Sequence, residues 1–268
     1  MTILQFAIDY AARVGASPGY AEQLTVLCKR LPWTPADLTV AKIDAYLSKA
    51  LGHLAASTVH NHRRMLNTLR QAALRDGLVV DECTRSIRRV KYELPLVRAW
   101  THAEMRQLLA VAAEMPGGTL RCPYRLLLPA WILVGYSSGL RLGDLLSIQH
   151  AQIRGNRLAL VLRKTRQPHV VVLDEMALHA ISQLPRCGPK IFGSLIGRSQ
   201  ILKTLRRLVK RAQLEGTGKY LRRASATYAK LAGMDAQTQL GHLTPSMQAR
   251  YLDMVLLSDA RRPVPSIS

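Results

Sequence analysis

Acidic residues are scarce in this chain. Asp and Glu total 17 against 38 Lys and Arg, a formal net charge of +21 over 268 residues. Solubility needs a net charge of only roughly 2–8, and a larger excess repels itself. The excess points to a polyanionic partner, and DNA or RNA fits best. An anionic membrane surface is the rival, but no amphipathic anchor with a basic tail is present. Aromatic residues are also few, at 5%, so the core must rest on Leu, Ala, Val and Ile. The four cysteines, Cys28, Cys83, Cys122 and Cys187, make no Cys-x-x-Cys pair and have no His at zinc spacing. They read as reduced, mostly buried thiols of a cytosolic protein. No apolar run approaches the roughly 18 residues of a membrane span. The start, Met1 to Gln5, lacks the basic residues of a signal peptide.

What is present is the balance of a folded protein, 48% hydrophobic and 21% charged, with length enough for two domains. Residues 1–90 read as four helices. Thr2 to Arg13 carries Ile3, Leu4, Phe6, Ala7 and Tyr10 near helical period. Tyr20 to Leu31 ends at Pro32, and Thr39 to Ala50 carries Val40, Ile43, Tyr46 and Leu47. The clearest runs from Ser57-Thr58 to Gly77, with Val59, Met65, Leu66, Leu69 and Ala73 on one side and Arg63, Arg64 and Arg70 among the rest. Residues 85–98 then hold five cations and Pro95, as a linker would. Thr101 and Glu104 open a new helix with a capping box.

The second segment is mixed. Leu126 to Ser137 and Gly139 to Ile148 read as helices. Arg157 to Arg163 and Val170 to Leu173 read as a β-hairpin around the turn Lys164-Thr165-Arg166-Gln167-Pro168. Helices are expected at 175–183, 199–213, 220–232, 235–240 and 245–256, the last signalled by Thr244-Pro245. The 199–213 helix is basic through Arg206, Arg207, Lys210 and Arg211.

Four patches carry the chemistry. Gly139-Leu140-Arg141-Leu142-Gly143-Asp144-Leu145 comes first and Lys164 second. Leu221-Arg222-Arg223-Ala224-Ser225-Ala226-Thr227 is third. Leu240-Gly241-His242, then eight residues, then Tyr251 is fourth. Each alone is common; an arginine is usually a surface residue and a helical tyrosine usually packs. Together, and in this order, they resemble the motifs of the tyrosine recombinase (phage integrase) family over about residues 97–256. The first segment resembles that family's helical core-binding domain.

The resemblance implies a mostly α fold with a small β-sheet. A helical core-binding (SAM-like) domain would occupy 1–90, a linker 91–98, and a mixed α/β catalytic domain with a C-terminal tail 99–268. It also implies a homotetramer on paired double-stranded DNA sites. Without a metal or cofactor, breaking a phosphodiester requires a nucleophile, a charge clamp and a proton donor. The Tyr251 phenol would attack phosphorus and store the bond as a phosphotyrosine ester. Arg141 and Arg222 would hold the equatorial oxygens bidentately. Lys164 would protonate the leaving 5′-oxygen, and His242 would hydrogen-bond the phosphate. Asp144 would brace the arginine box rather than react.

The chain departs from the pattern at Lys219, where the family usually has His. Lysine donates but does not readily accept a proton, so Lys219 steadies the phosphate, delivers a proton, or only meets the DNA backbone. Type IB topoisomerases also carry Lys-x-x-Arg here, which keeps a DNA-relaxing enzyme open, as does a catalytically inactive DNA-binding accessory protein. Arg63, Arg64, Arg70, Arg88, Arg89, Lys91 and Arg223 are candidates for DNA contact, Arg223 for a structural contact as well. Met254 to Leu257 would dock on a neighbouring subunit or pack at home. No further N-terminal arm-binding domain is expected.

Overall fold

A computed structural model describes residues 1–80, 86–93, 96–241 and 250–258. The chain forms two compact units, Met1–Leu94 and Pro95–Ser268. Among the described residues no helix is long and apolar enough to cross a membrane.

The first unit is helical: α1 (Ile3–Arg13), α2 (Pro18–Cys28), α3 (Val40–Leu51) and α4 (Ala56–Arg75). Thr2 and Thr39 cap α1 and α3 by accepting the amides of Gln5 and Lys42. Pro18 sits at the start of α2, where its missing N–H costs nothing. The apolar stripes, including Ile3, Leu24, Leu38, Ile43, Leu66 and Leu69, meet in one core. Residues 86–93 join it. Ile87 and Val90 are buried, the Arg88 amide donates to Asp44 at 2.9 Å, and Arg63 donates to the Arg88 and Ile87 carbonyls at 2.7 and 3.0 Å.

The second unit begins with α5 (His102–Ala113), opened by the Thr101–Glu104 capping box. Next is α6 (Tyr124–Ser138), buried along most of its length and packed against α5. It ends at Gly139, which is left-handed at φ 59. The helix expected over Gly139 to Ile148 is only α7 (Leu142–Leu145). Gly139 interrupts the backbone and Arg141 is extended, so one turn is all that forms. The sheet is antiparallel in the order β1 (Ile153–Arg154), β2 (Arg157–Val161), β3 (Pro168–Val172). The short β1 has no sequence signal, since two residues carry no readable alternation.

The remaining helices are α8 (Glu175–Ser182), α9 (Arg198–Arg211), α10 (Lys219–Leu231), α11 (Ala236–Leu240) and α12 (Met254–Ser258). Trp100, Trp131, Phe192 and Leu208 anchor the core. The helix expected over 245–256 falls partly outside the described residues. Within them, Tyr251 lies in a turn and helix resumes only at Met254. Of the cysteines, Cys28 and Cys122 are buried and free, Cys187 is free but exposed, and Cys83 lies outside the described residues.

Candidate active site

The site gathers where α6, α10 and α11 end or pass one another. Gly139 turns the chain sharply so that Arg141 can start α7. Both terminal nitrogens of Arg141 are buried with no hydrogen-bond partner among the described residues. A buried guanidinium left this way is costly. Asp144, one turn on and 2% exposed, accepts the Arg163 amide at 2.9 Å. That bond ties the arginine box to the hairpin turn at the residue before Lys164. Lys164 itself is exposed in the turn.

Arg222 lies on the buried face of α10 at 5% exposure. Its Nη1 donates to the Gly139 carbonyl and its Nη2 to the Leu240 carbonyl at 3.0 Å. These carbonyls cap the ends of α6 and α11, so one side chain joins both turns. Burial and then the Arg141 charge push its pKa down to about 10, opposed by Tyr251 and Asp144. It stays a cation at neutral pH.

Tyr251 is half-buried with its ring 4.9 Å from the Arg222 guanidinium carbon, a cation–π distance. Burial works to raise its pKa, but Arg222, Arg141 and Lys164 outweigh it and hold the phenol below the ordinary tyrosine range. The structure thus brings Arg141, Arg222 and Tyr251 together with Lys164 in electrostatic reach.

Other expected residues fall differently. His242 lies outside the described residues. Lys219 is exposed at the first position of α10. Arg223 donates to the Arg98 carbonyl at 3.2 Å and lies over the Tyr220 ring, which fits the structural reading of it. Arg63 spends its donors on the backbone of 87–88. Arg64, Arg88, Arg89 and Lys91 are exposed on the first unit, and Arg70 is half-buried on α4. On α9 the basic side chains Arg206, Arg207, Lys210 and Arg211 are exposed as well.

One neighbour of the site is not singled out by the sequence motifs. His169 on β3 is 8% exposed, and its Nε2 has no hydrogen-bond partner among the described residues. Burial and Arg222 lower its pKa, against the Gln239 backbone and Asp144, with Arg141 lowering it further. It pairs with Leu160 and shares the inward face with Val171. Strand alternation would have flagged an inward histidine beside the hairpin lysine.

No curated protein matches the sequence. The fold is similar to solved structures along nearly the whole chain. One is a lambda integrase dimer bound to a COC′ core site, with 20% identity and a TM-score of 0.76, covering 100% of this chain and 99% of that one. Another is the Tn1549 transposon integrase in complex with a circular intermediate DNA, with 15% identity and a TM-score of 0.74, covering 94% and 95%. A third is a lambda integrase tetramer bound to a Holliday junction, with 19% identity and a TM-score of 0.71, covering 90% and 76%. Residues 98–255, more than half of the chain, match the phage integrase family. The chain therefore belongs to the phage integrase family, the tyrosine recombinases.

Proposed function

We propose that this protein is a site-specific DNA recombinase that cleaves and rejoins strands through a 3′-phosphotyrosine intermediate. The observation that carries this reading is the Arg222 guanidinium over the Tyr251 ring at 4.9 Å, beside the Arg141 fork, whose terminal nitrogens are buried with no hydrogen-bond partner among the described residues. The Tyr251 oxygen attacks the scissile phosphorus after its proton leaves to water, eased by the flanking cations. The P–O5′ bond breaks, and the departing 5′-oxygen takes a proton from Lys164. Arg141 and Arg222 neutralise the oxygens that gain charge, each donor lowering the barrier by about 3 kcal/mol. His242 hydrogen-bonds the phosphate, and Lys219 acts as a donor in place of the usual histidine. A 5′-hydroxyl from another strand then reverses the attack, so no external energy source is needed.

The partner is double-stranded DNA and the working form a homotetramer on paired sites. The DNA-bound dimer and the tetramer on a Holliday junction among the similar structures support this, as does the +21 charge. Arg64, Arg70, Arg88, Arg89, Lys91 and the exposed face of α9 track the backbone. The task is integration, excision or resolution of a mobile element, on DNA in the cytoplasm. Candidate DNA flanking the gene, nicked near the scissile phosphate, should trap a protein–DNA adduct. Tyr251→Phe should bind the same DNA and form none. An adduct with the Phe variant would remove Tyr251 from the reaction. Because Lys219 stands in the topoisomerase-like position, plasmid relaxation without any specific site is the second reading, and a supercoiled plasmid lacking the site tests it.

A further inference from the structure

Two residues past Tyr251 stands a buried carboxylate. Asp253 is 4% exposed, and a carboxylate in such a place is costly unless its lone pairs are filled. Three backbone amides fill them. Val255 and Leu256 donate to Oδ1 at 3.0 and 3.2 Å, which caps α12. The third bond is not a cap: Ala99 donates to Oδ2 at 2.8 Å, across 154 positions of sequence. Ala99 precedes Trp100, itself 1% exposed and bonded through Nε1 to the Glu215 carbonyl at 2.8 Å. The Asp253 amide in turn donates to Thr227 Oγ1 at 3.0 Å. Thr227 is fully buried on α10, the helix that carries Arg222.

Apolar packing anchors this segment only in part: Tyr251 and Leu252 rest half-buried against Ala226, Ala236 and Leu240. Helix α12 has no buried residue, and Met254 and Val255 are 48% and 57% exposed. Leu252 and Leu256 are only partly buried. A simple helix cap would need neither burial nor the bond to Ala99.

We propose that Asp253 is a positioning residue for strand cleavage, holding Tyr251 against Arg222 of its own chain through its tethers to the Ala99 amide and the Thr227 hydroxyl. The inference rests on Tyr251 being the nucleophile. Two residues of chain reach only about 7 Å, so fixing Asp253 confines the phenol. Because Thr227 and Arg222 share one rigid helix, nucleophile and clamp are referenced to the same body. Released, the phenol could wander by several times the roughly 1 Å that already costs about 100-fold in rate.

The test uses the full chain as Asp253→Ala and as Thr227→Val, the second exchanging only the hydroxyl for a methyl group. The first readout needs no DNA: the titration of Tyr251 in protein labelled at tyrosine Cζ, its signal identified by loss in Tyr251→Phe. In the wild type the phenol should titrate below the ordinary tyrosine range, because Arg222, Arg141 and Lys164 outweigh its burial. In both variants it should move up as the phenol leaves Arg222. The second is single-turnover adduct formation on nicked DNA, which should fall about 10- to 100-fold with DNA affinity unchanged. If the Tyr251 titration stays in place in the folded variants, Asp253 merely caps α12 and the proposal is wrong. Should Asp253→Ala not fold, Thr227→Val decides by the same measurement. A shifted titration in a protein whose wild type makes no adduct would keep Asp253 as the anchor of Tyr251 beside Arg222, and would overturn both the recombinase reading and any role of that anchor in cleavage.

Discussion

Gly139 closes α6 at φ 59, and its carbonyl accepts a hydrogen bond from Arg222. An alanine there would put its Cβ 2.8 Å from Ser225 Oγ and 2.9 Å from Leu240 Cδ2. Both neighbours are buried, at 4% and 0% exposure, so neither can swing into water. The left-handed backbone costs an L-residue about 1–2 kcal/mol, and overpacking adds about 1–3 kcal/mol. Gly139→Ala should therefore lose about 2–5 kcal/mol, or roughly 5–15 °C in Tm for a unit of this size. Gly155 supplies the control. It has the same φ of 59, and an added Cβ there would meet nothing within 4 Å, so Gly155→Ala should cost only the backbone term of about 1–2 kcal/mol. The two should also differ in chemistry. Displacing the Gly139 carbonyl moves the Arg222 guanidinium, and adduct formation should fall about 100-fold, whereas Gly155→Ala should cleave like the wild type. Denaturant unfolding and single-turnover trapping on nicked DNA measure both effects. Equal stability losses, or normal cleavage by Gly139→Ala, would refute the link between this turn and the arginine clamp.

Arg141 keeps two buried nitrogens without hydrogen-bond partners among the described residues. Arg141→Met should leave the DNA-free protein more stable by about 1 kcal/mol or more while abolishing the adduct; a lower Tm would mean that the cation is already satisfied. Vanadate, a tetrahedral phosphate mimic that can expand to five-coordination, should raise the wild-type Tm and leave that of Arg141→Met unchanged. Arg63→Ala removes donors to two backbone carbonyls and should cost the first unit about 1–3 kcal/mol. Arg64 is exposed on the same helix, so Arg64→Ala should instead lower the salt dependence of DNA affinity by about one ion, measured as the slope of log K against log salt. A loss of slope for Arg63→Ala with unchanged stability would reverse these assignments.

Local pattern determined much of this protein. The period of α4, the Thr101–Glu104 capping box and the hairpin around Lys164 follow from nearest-neighbour chemistry, and the structure has each of them. The order of the four motifs points to Arg141, Lys164, Arg222 and Tyr251 as candidates, and the structure gathers Arg141, Arg222 and Tyr251. Apolar pattern also misled where backbone conformation prevailed. Gly139 to Ile148 reads as a helix, but the left-handed Gly139 and the extended Arg141 leave only one turn.

Tertiary structure alone decided what each charge is for. Arg63 and Arg64 are adjacent and alike in sequence, yet only Arg63 faces the carbonyls of Ile87 and Arg88. Asp253 reads as an ordinary acidic residue in an apolar tail until Ala99 arrives from 154 positions away. Sequence periodicity reports which face of an element is apolar. It does not report which distant backbone amide or carbonyl will be buried beside a charged side chain, and that pairing determines whether the charge serves the fold or remains free for DNA.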